Sequence, residues 1–127
     1  MPEVIRLITQ FFKTIIKESF YITNPKADVI YPYLTFSYTA QPFYRKNGNE
    51  IYIDFDVFDN QGNNNERIET VVNGLIEAVE DNERKVIKND KLLIRIEGIS
   101  INLIPTNSDT LQRRNGTINL RIDWRNL

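Results

Sequence analysis

Neither cysteine nor histidine occurs in this chain. Without cysteine there can be no disulfide, thiolate metal site or cysteine nucleophile, which fits a reducing compartment. Without histidine, the commonest general base and the commonest zinc ligand are both missing. An excess of either charge is missing too. The formal net charge is −1, which gives no global attraction to nucleic acid or to an anionic membrane. No apolar run approaches the roughly 20 residues that a membrane span needs. Met1-Pro2-Glu3-Val4 does not lead from a basic region into a continuous apolar core, so no signal peptide is expected. Most enzyme, membrane and nucleic-acid readings thus begin without their usual residues.

What the chain has is the material of one ordinary globular domain spanning residues 1–127. With 41% hydrophobic and 26% charged residues, it can bury roughly two-thirds of its unfolded surface without staples. The organising stretch is a strand-to-helix passage from Glu50 to Glu80. Ile51, Ile53, Phe55 and Val57 alternate with Tyr52, Asp54, Asp56 and Phe58, the period of a half-buried strand. After the polar turn Asn60–Asn65 the period changes. Ile68, Val71, Val72, Leu75, Ile76 and Val79 make one helical stripe, and Asn63 with Glu66 resembles a capping box that would start the helix there.

Around this passage the remaining elements fall into order. Glu3–Phe20 reads as a helix with its apolar stripe on Val4, Leu7, Ile8, Phe11, Phe12, Ile15 and Ile16. A stripe with so few basic residues beside it suits a sheet cover better than a membrane surface. Tyr31–Thr39 reads as a strand with Pro32 at its start or on an edge. The connection Ala40–Asn49 carries Phe43, Tyr44 and Arg45, and its aromatics would either pack down as a lid or face a partner. Asn89-Asp90 predicts a two-residue hairpin turn. Beyond it Ile94 and Ile96 occupy one parity, and Ile99, Ile101 and Leu103 the other. The switch at Gly98 predicts a bulge or bend. Ile104–Asn115, with Arg113 and Arg114, reads as a long polar loop, and Gly116–Trp124 as the last strand. The expected fold class is α+β: a mainly antiparallel sheet of about 4–5 strands with two helices packed on one face.

Three constellations carry possible chemistry. Asp54 and Asp56 share a strand face about 7 Å apart and could hold Mg²⁺ for phosphoryl transfer. The simpler expectation is that they face solvent or pair with Arg121 and Arg125 on a neighbouring strand, since no phosphate loop stands beside them. Arg113-Arg114 with Lys85, Lys88 and Lys91 could form a basic patch, but the aromatic-rich RNA-binding strand motif is missing. Sheet edges, long polar loops and exposed aromatics suit a protein interface, which exclusion favours.

The runs Tyr31-Pro32-Tyr33-Leu34-Thr35-Phe36, Glu50–Asn60 and Ile68–Ile76, with the closing strand Gly116–Trp124, resemble the tail terminator, or tail completion, proteins of tailed bacteriophages and phage-derived particles. The resemblance covers nearly the whole length and rests on structural patterns. It implies a small α+β subunit forming a homo-oligomeric, hexameric ring that caps the head-proximal end of the tail tube. Such a ring ends tail polymerisation and offers the head-joining surface. The implied partners are the chain itself, the tail tube protein and the head connector or stopper, with DNA passing through the lumen without specific binding. The implied location is the virion tail, assembled in the host cytoplasm. No enzyme activity, catalytic residue, metal or cofactor is expected. Phe43, Tyr44, Arg45, Asp54, Asp56, Arg113, Arg114, Arg121 and Arg125 are the interface candidates. Two alternatives stay open: a connector or stopper subunit on the head side, and a metal-dependent phosphoryl-transfer enzyme using Asp54 and Asp56.

Overall fold

A computed structural model describes residues 1–42 and 48–124. The elements are α1 (Pro2–Lys13), β1 (Glu18–Tyr21), β2 (Tyr33–Pro42), β3 (Gly48–Asp59), α2 (Glu66–Glu80), β4 (Val86–Lys88), β5 (Leu92–Ile104) and β6 (Gln112–Trp124). They form an α+β fold with two helices and one six-stranded sheet in the order β1-β2-β3-β6-β5-β4. Every neighbouring pair is antiparallel except β1 and β2, which run parallel. The sheet therefore has more strands than the 4–5 expected.

The extra strand is β1, and the last strand is also longer than expected; both come from places where local patterning misleads. The stretch read as one helix to Phe20 ends at Lys13, capped at Thr14, and its tail becomes β1. Ile15 and Ile16 are β-branched, and Phe20 and Tyr21 suit a pleated surface better than a helix interior. Tyr21 stacks on Tyr38 at 6.3 Å and meets Phe36 at 5.4 Å, contacts that only a strand beside β2 provides. The last strand begins at Gln112 instead of Gly116, so Arg113 and Arg114 belong to β6 and the preceding connection shortens to 105–111.

Burial alternates along the central strands as the period-two pattern requires. Ile51, Ile53, Phe55 and Val57 of β3 and Ile118, Leu120 and Ile122 of β6 are buried, and they join Val4, Leu7, Ile8, Phe11 and Phe12 of α1 and Ile68, Leu75, Ala78 and Val79 of α2 in one core cluster. Phe12 anchors it, with its ring 5.3 Å from Phe36 and 5.7 Å from Phe55. The opposite parity of β3 and β6, from Tyr52 to Phe58 and from Arg113 to Asp123, is intermediate or exposed. The expected break at Gly98 is present as a register shift between Ile96 and Gly98. It lets β5 present Ile94 and Ile96, then Ile99 and Ile101, to the same core.

Two local expectations change. The turn after β4 spans four residues: Lys88 pairs with Leu93, Asn89 N–H bonds to Leu92 O at 3.1 Å, and Asn89 Oδ1 accepts from Lys91 and Leu92 N–H. An Asn side chain that closes its own turn removes the need for a two-residue loop. α2 starts at Glu66 with Asn65 as N-cap, and no capping box forms at Asn63. Asn65 Oδ1 is taken by Gln112 Nε2 at 3.0 Å instead of by a helix N–H.

Candidate functional site

Two polar constellations sit on the β3–β6 pair, one on each side of the sheet. The first lies on the core side, where β3 hands over to α2. Asp59 continues the buried parity of β3 past Val57 and is fully buried. Both its carboxylate oxygens accept from Arg67 in the first turn of α2, Oδ2 from Nε at 2.8 Å and Oδ1 from an Nη. Asn60 N–H adds a third bond at 2.8 Å. Burial by itself would raise the Asp59 pKa, but Arg67's hydrogen bonds and charge, with the Asn60 N–H, outweigh it and hold the carboxyl below the usual range.

Opposite Asp59, β6 supplies Gln112 and Arg114 on the same face as Ile118 and Leu120. Gln112 Nε2 donates to Gly62 O, Asn64 O and Asn65 Oδ1 at 3.0, 2.9 and 3.0 Å, while its Oε1 accepts from Gln61 N–H at 3.2 Å. One amide thus closes the whole connection between β3 and α2. Gly62 occupies the left-handed region there (φ 61°), and its N–H reaches Thr110 O at 3.0 Å, tying in the 105–111 loop. Arg114 is buried. It donates to Glu69 Oε1 of α2 at 2.8 Å and to its neighbour's carbonyl, Arg113 O, at 3.1 Å. Arg114 is therefore a tie between sheet and helix and not part of a loop patch.

Replacing Gln112 by alanine should cost about 1 kcal/mol of unfolding free energy, since water can reach the surface carbonyls that Nε2 leaves. Urea unfolding checks this. A loss also visible as faster amide exchange at Gly62 and Asn65 would place the effect in the connection, whereas unchanged exchange there would contradict it.

The second constellation is on the open face. β3 and β6 pair so that Asp56 lies across from Asn115 and Phe58 from Arg113. Arg113 Nε bonds Asp56 Oδ1 at 2.9 Å, and its guanidinium stands 5.8 Å from the centre of the Phe58 ring. Phe58 stacks on Tyr33 at 4.9 Å, and Tyr31 adjoins Tyr33 at 5.6 Å. Burial, with Tyr31 and Asp56 nearby, pushes the Tyr33 phenol up. The Asn115 amide donates to Asp54 Oδ1 at 3.2 Å and to Asp56 Oδ1 at 3.1 Å. A shallow hollow of about 220 Å³ adjoins the two carboxylates, bounded by Ile22, Thr35, Phe36 and Ser37.

These positions revise several sequence-based expectations. Asp54 and Asp56 do find partners on the neighbouring strand, but the partners are Arg113 and Asn115. The register sets Arg121 opposite Glu50, and Arg121 lies beside Asp123, Nε to Oδ1 at 3.5 Å. Among the described residues, no group of three or more His, Cys, Asp or Glu side chains gathers as metal ligands would. Arg113 is on the open face with the carboxylates, whereas Arg114 points into the core side, so the pair is split between two faces. Phe43, Tyr44, Arg45 and Arg125 lie outside the described residues. Gln112, Asp59 and Arg67 were missed. For Asp59 the signal was there: it follows Val57 in the buried phase, with a basic residue eight positions on.

No helix among the described residues is long and apolar enough to cross a membrane. No protein-family model matches the chain, and no curated protein does. Nineteen chains of solved structures match. One of them, whose name states no function, aligns over 96% of this chain and 90% of its own length, with a TM-score of 0.62 and 12% identity. At that identity the likeness shows the fold alone.

Proposed function

We propose that this chain is a structural subunit of a phage, or phage-like, particle. As a ring, hexameric in the resembled family, it caps the head-proximal end of the tail tube, stops polymerisation and offers the head-joining surface. Its partners are further copies of itself, the tail tube protein and the head connector, with DNA passing the lumen unbound. It catalyses nothing and holds no cofactor. The reading starts from the sequence resemblance, and one structural observation supports it most. Among the described residues, the exposed large apolar side chains fall at two unlike places: Ile22, Val29 and Ile30 in the stretch after β1, and the single residue Leu103 on β5. Four strand spacings, about 19 Å, separate those strands across the sheet.

Unlike apolar surfaces at different places on one subunit suit a head-to-tail contact, and such contacts close into rings when the rotation closes. A twofold dimer would need only one self-complementary patch. With both helices on one face, the polar face bearing Asp54, Asp56, Arg113 and Arg121 remains for the lumen or a neighbouring subunit. On that face Arg113 is paired with Asp56 and Arg121 lies beside Asp123, so it offers DNA no run of free positive charge to stick to.

The test is electron microscopy of particles from the source after deletion of this gene. Tails of uncontrolled length, or normal tails detached from filled heads, are the expected result. Intact particles with correct tails would overturn the proposal.

A further inference from the structure

Each outer edge of the sheet is covered for only half its length. β1 pairs with Tyr33–Phe36 of β2 and then leaves, Ile22 N–H making the last bond to Phe36 O at 2.8 Å. From Ser37 to Pro42 no described strand lies on the outer side of β2. At the other edge β4 pairs with Leu93–Arg95 of β5, and Lys85 O accepts the Ile96 N–H at 2.8 Å. From Gly98 to Ile104 no described strand lies on the outer side of β5. Bare backbone edges of this length are templates for another strand.

The phase of the ladders shows which groups are bare. Phe36 bonds outward through its carbonyl, and backbone direction alternates along a strand, so Tyr38 and Ala40 also turn N–H and C=O away from β3. On β5 the outward phase runs through Leu92, Ile94 and Ile96. The bulge carries it to Ile99, Ile101 and Leu103, because Ile99 stands opposite Ile118 in the phase that Ile96 holds opposite Leu120. Both bare stretches therefore expose backbone groups on residues whose side chains share the core-facing side.

The two gaps are also placed diagonally. Register across the sheet puts Tyr33, Phe58, Arg113 and Ile104 level at one end, and Pro42, Asn49, Ile122 and Ile94 level at the other. The bare half of β2 is thus level with the covered half of β5, and the reverse. β2 and β5 run in opposite directions, since three antiparallel pairings separate them.

We infer that the bare half of β2, Ser37–Pro42, pairs antiparallel with the bare half of β5, Gly98–Ile104, of a second copy of this chain. The sheet then continues from subunit to subunit. Several features name a second copy as the occupant. The gaps are of similar length, six and seven residues. The strand directions match an antiparallel ladder when both copies keep their helices on the same side. A shift of about four residues, some 13 Å along the strand, seats each gap against the other and keeps β5 of one copy from overrunning β1 of the next and β4 from overrunning β2. The same shift brings Ile22, 59% exposed at the end of β1, toward the end of β5 where Leu103 is 65% exposed. In a closed sheet a constant stagger between neighbours becomes strand tilt, so it is compatible with a ring. This inference rests on the ring reading and specifies its subunit contact.

The experiment uses the cysteine-free chain with the double substitution Ala40→Cys and Ile101→Cys. Within one subunit these positions lie three strand spacings apart sideways and four residues apart along the strands, about 19 Å in all, too far for a disulfide. Across the inferred contact they face each other at hydrogen-bonded-pair distance, about 5.5 Å, which a disulfide spans. Mild oxidation should therefore give a ladder of covalent multimers, while either single substitution should give none beyond dimers. A companion variant, Leu103→Pro, removes one outward N–H at an exposed position without touching the β5–β6 ladder. It should fold, by circular dichroism, yet associate about tenfold more weakly in native mass spectrometry, the worth of one net hydrogen bond. Oligomers that form without cross-linking, with Leu103→Pro assembling like the parent, would overturn the edge pairing and leave the ring standing. Monomer alone at high concentration, with no cross-linking, would overturn the pairing as a contact the chain makes by itself and would leave the ring, which a tail end can template, to the gene-deletion experiment.

Discussion

Substituting Gly116 by alanine should lower the unfolding free energy by about 3 kcal/mol, at the upper end of ordinary overpacking costs. A Cβ at position 116 would stand 2.7 Å from the Ser100 carbonyl oxygen on β5 and would collide with the Phe55 ring of β3. Gly116 lies directly across from Phe55 in the β3–β6 register and across from Ile101 in the β5–β6 register. The ring of Phe55 fills the space a side chain would take, and Phe12 of α1 packs on that ring at 5.7 Å. The backbone of Ser100 belongs to a hydrogen-bonded ladder and cannot retreat cheaply. The collision therefore spreads into the centre of the core.

Urea denaturation gives the number, and a double-mutant cycle gives the cause. Phe55→Leu alone should destabilise by leaving a void, yet in the Gly116→Ala background it should cost distinctly less. The coupling arises because one side chain occupies the other's space. Strict additivity would mean that the ring is not what excludes the methyl group.

This glycine also illustrates how far the chain could be read before its fold was known. Gly116 was read as the start of the final strand, although nothing local signals that the strand begins four residues earlier. Gln112, Arg113 and Arg114 look like loop in composition, and only their phase relative to Ile118 and Leu120 puts Gln112 and Arg114 on the buried side. Composition and phase disagreed, and packing followed phase. β3 was legible because its alternation is complete within Glu50–Asp59. The bulge at Gly98 was legible because a change of parity is a local event. β1 was not, because its parallel pairing with β2 is non-local and Ile15 and Ile16 still fit a helical stripe.

The polar site was half legible for the same reason. That Asp54 and Asp56 share the open face followed from β3 alone. Their partners depended on the β3–β6 register, which the turn chemistry at either end did not determine. A one-residue slip in the β3–β6 register would change the partners along the whole strand. For function the sequence offered only a resemblance of patterns. The assembly subunit proposed from it would place its chemistry in complementary surfaces, which need the neighbouring copy to become visible.

Exchanging Asp59 for asparagine should cost about 2 kcal/mol at neutral pH, the loss of charge-assisted bonds to a buried carboxylate. The effect stays below that of breaking a fully buried pair, because Arg67 is partly exposed and can turn its charge to water. The sign of the pH dependence follows from the direction of the shift. The Asp59 carboxyl ionises more readily folded than unfolded. Its contribution is therefore complete above the unfolded aspartate value of about 3.9 and is lost as pH falls through the lower folded value. Parent and Asp59→Asn stabilities, measured by urea unfolding, should differ most at pH 5 and above, and the two curves should converge on acidification below about pH 4. Because the carboxylate joins the last residue of β3 to the first turn of α2, the variant should also expose the N-terminal turn of α2. Faster amide exchange at Arg67, Ile68 and Glu69, with β3 protection retained up to Val57, is the expected pattern. A gap between the curves that persisted unchanged into acid would show that the stabilisation comes from packing of the Asp59 side chain, and the ion pair would then have no part in fastening the helix to the sheet.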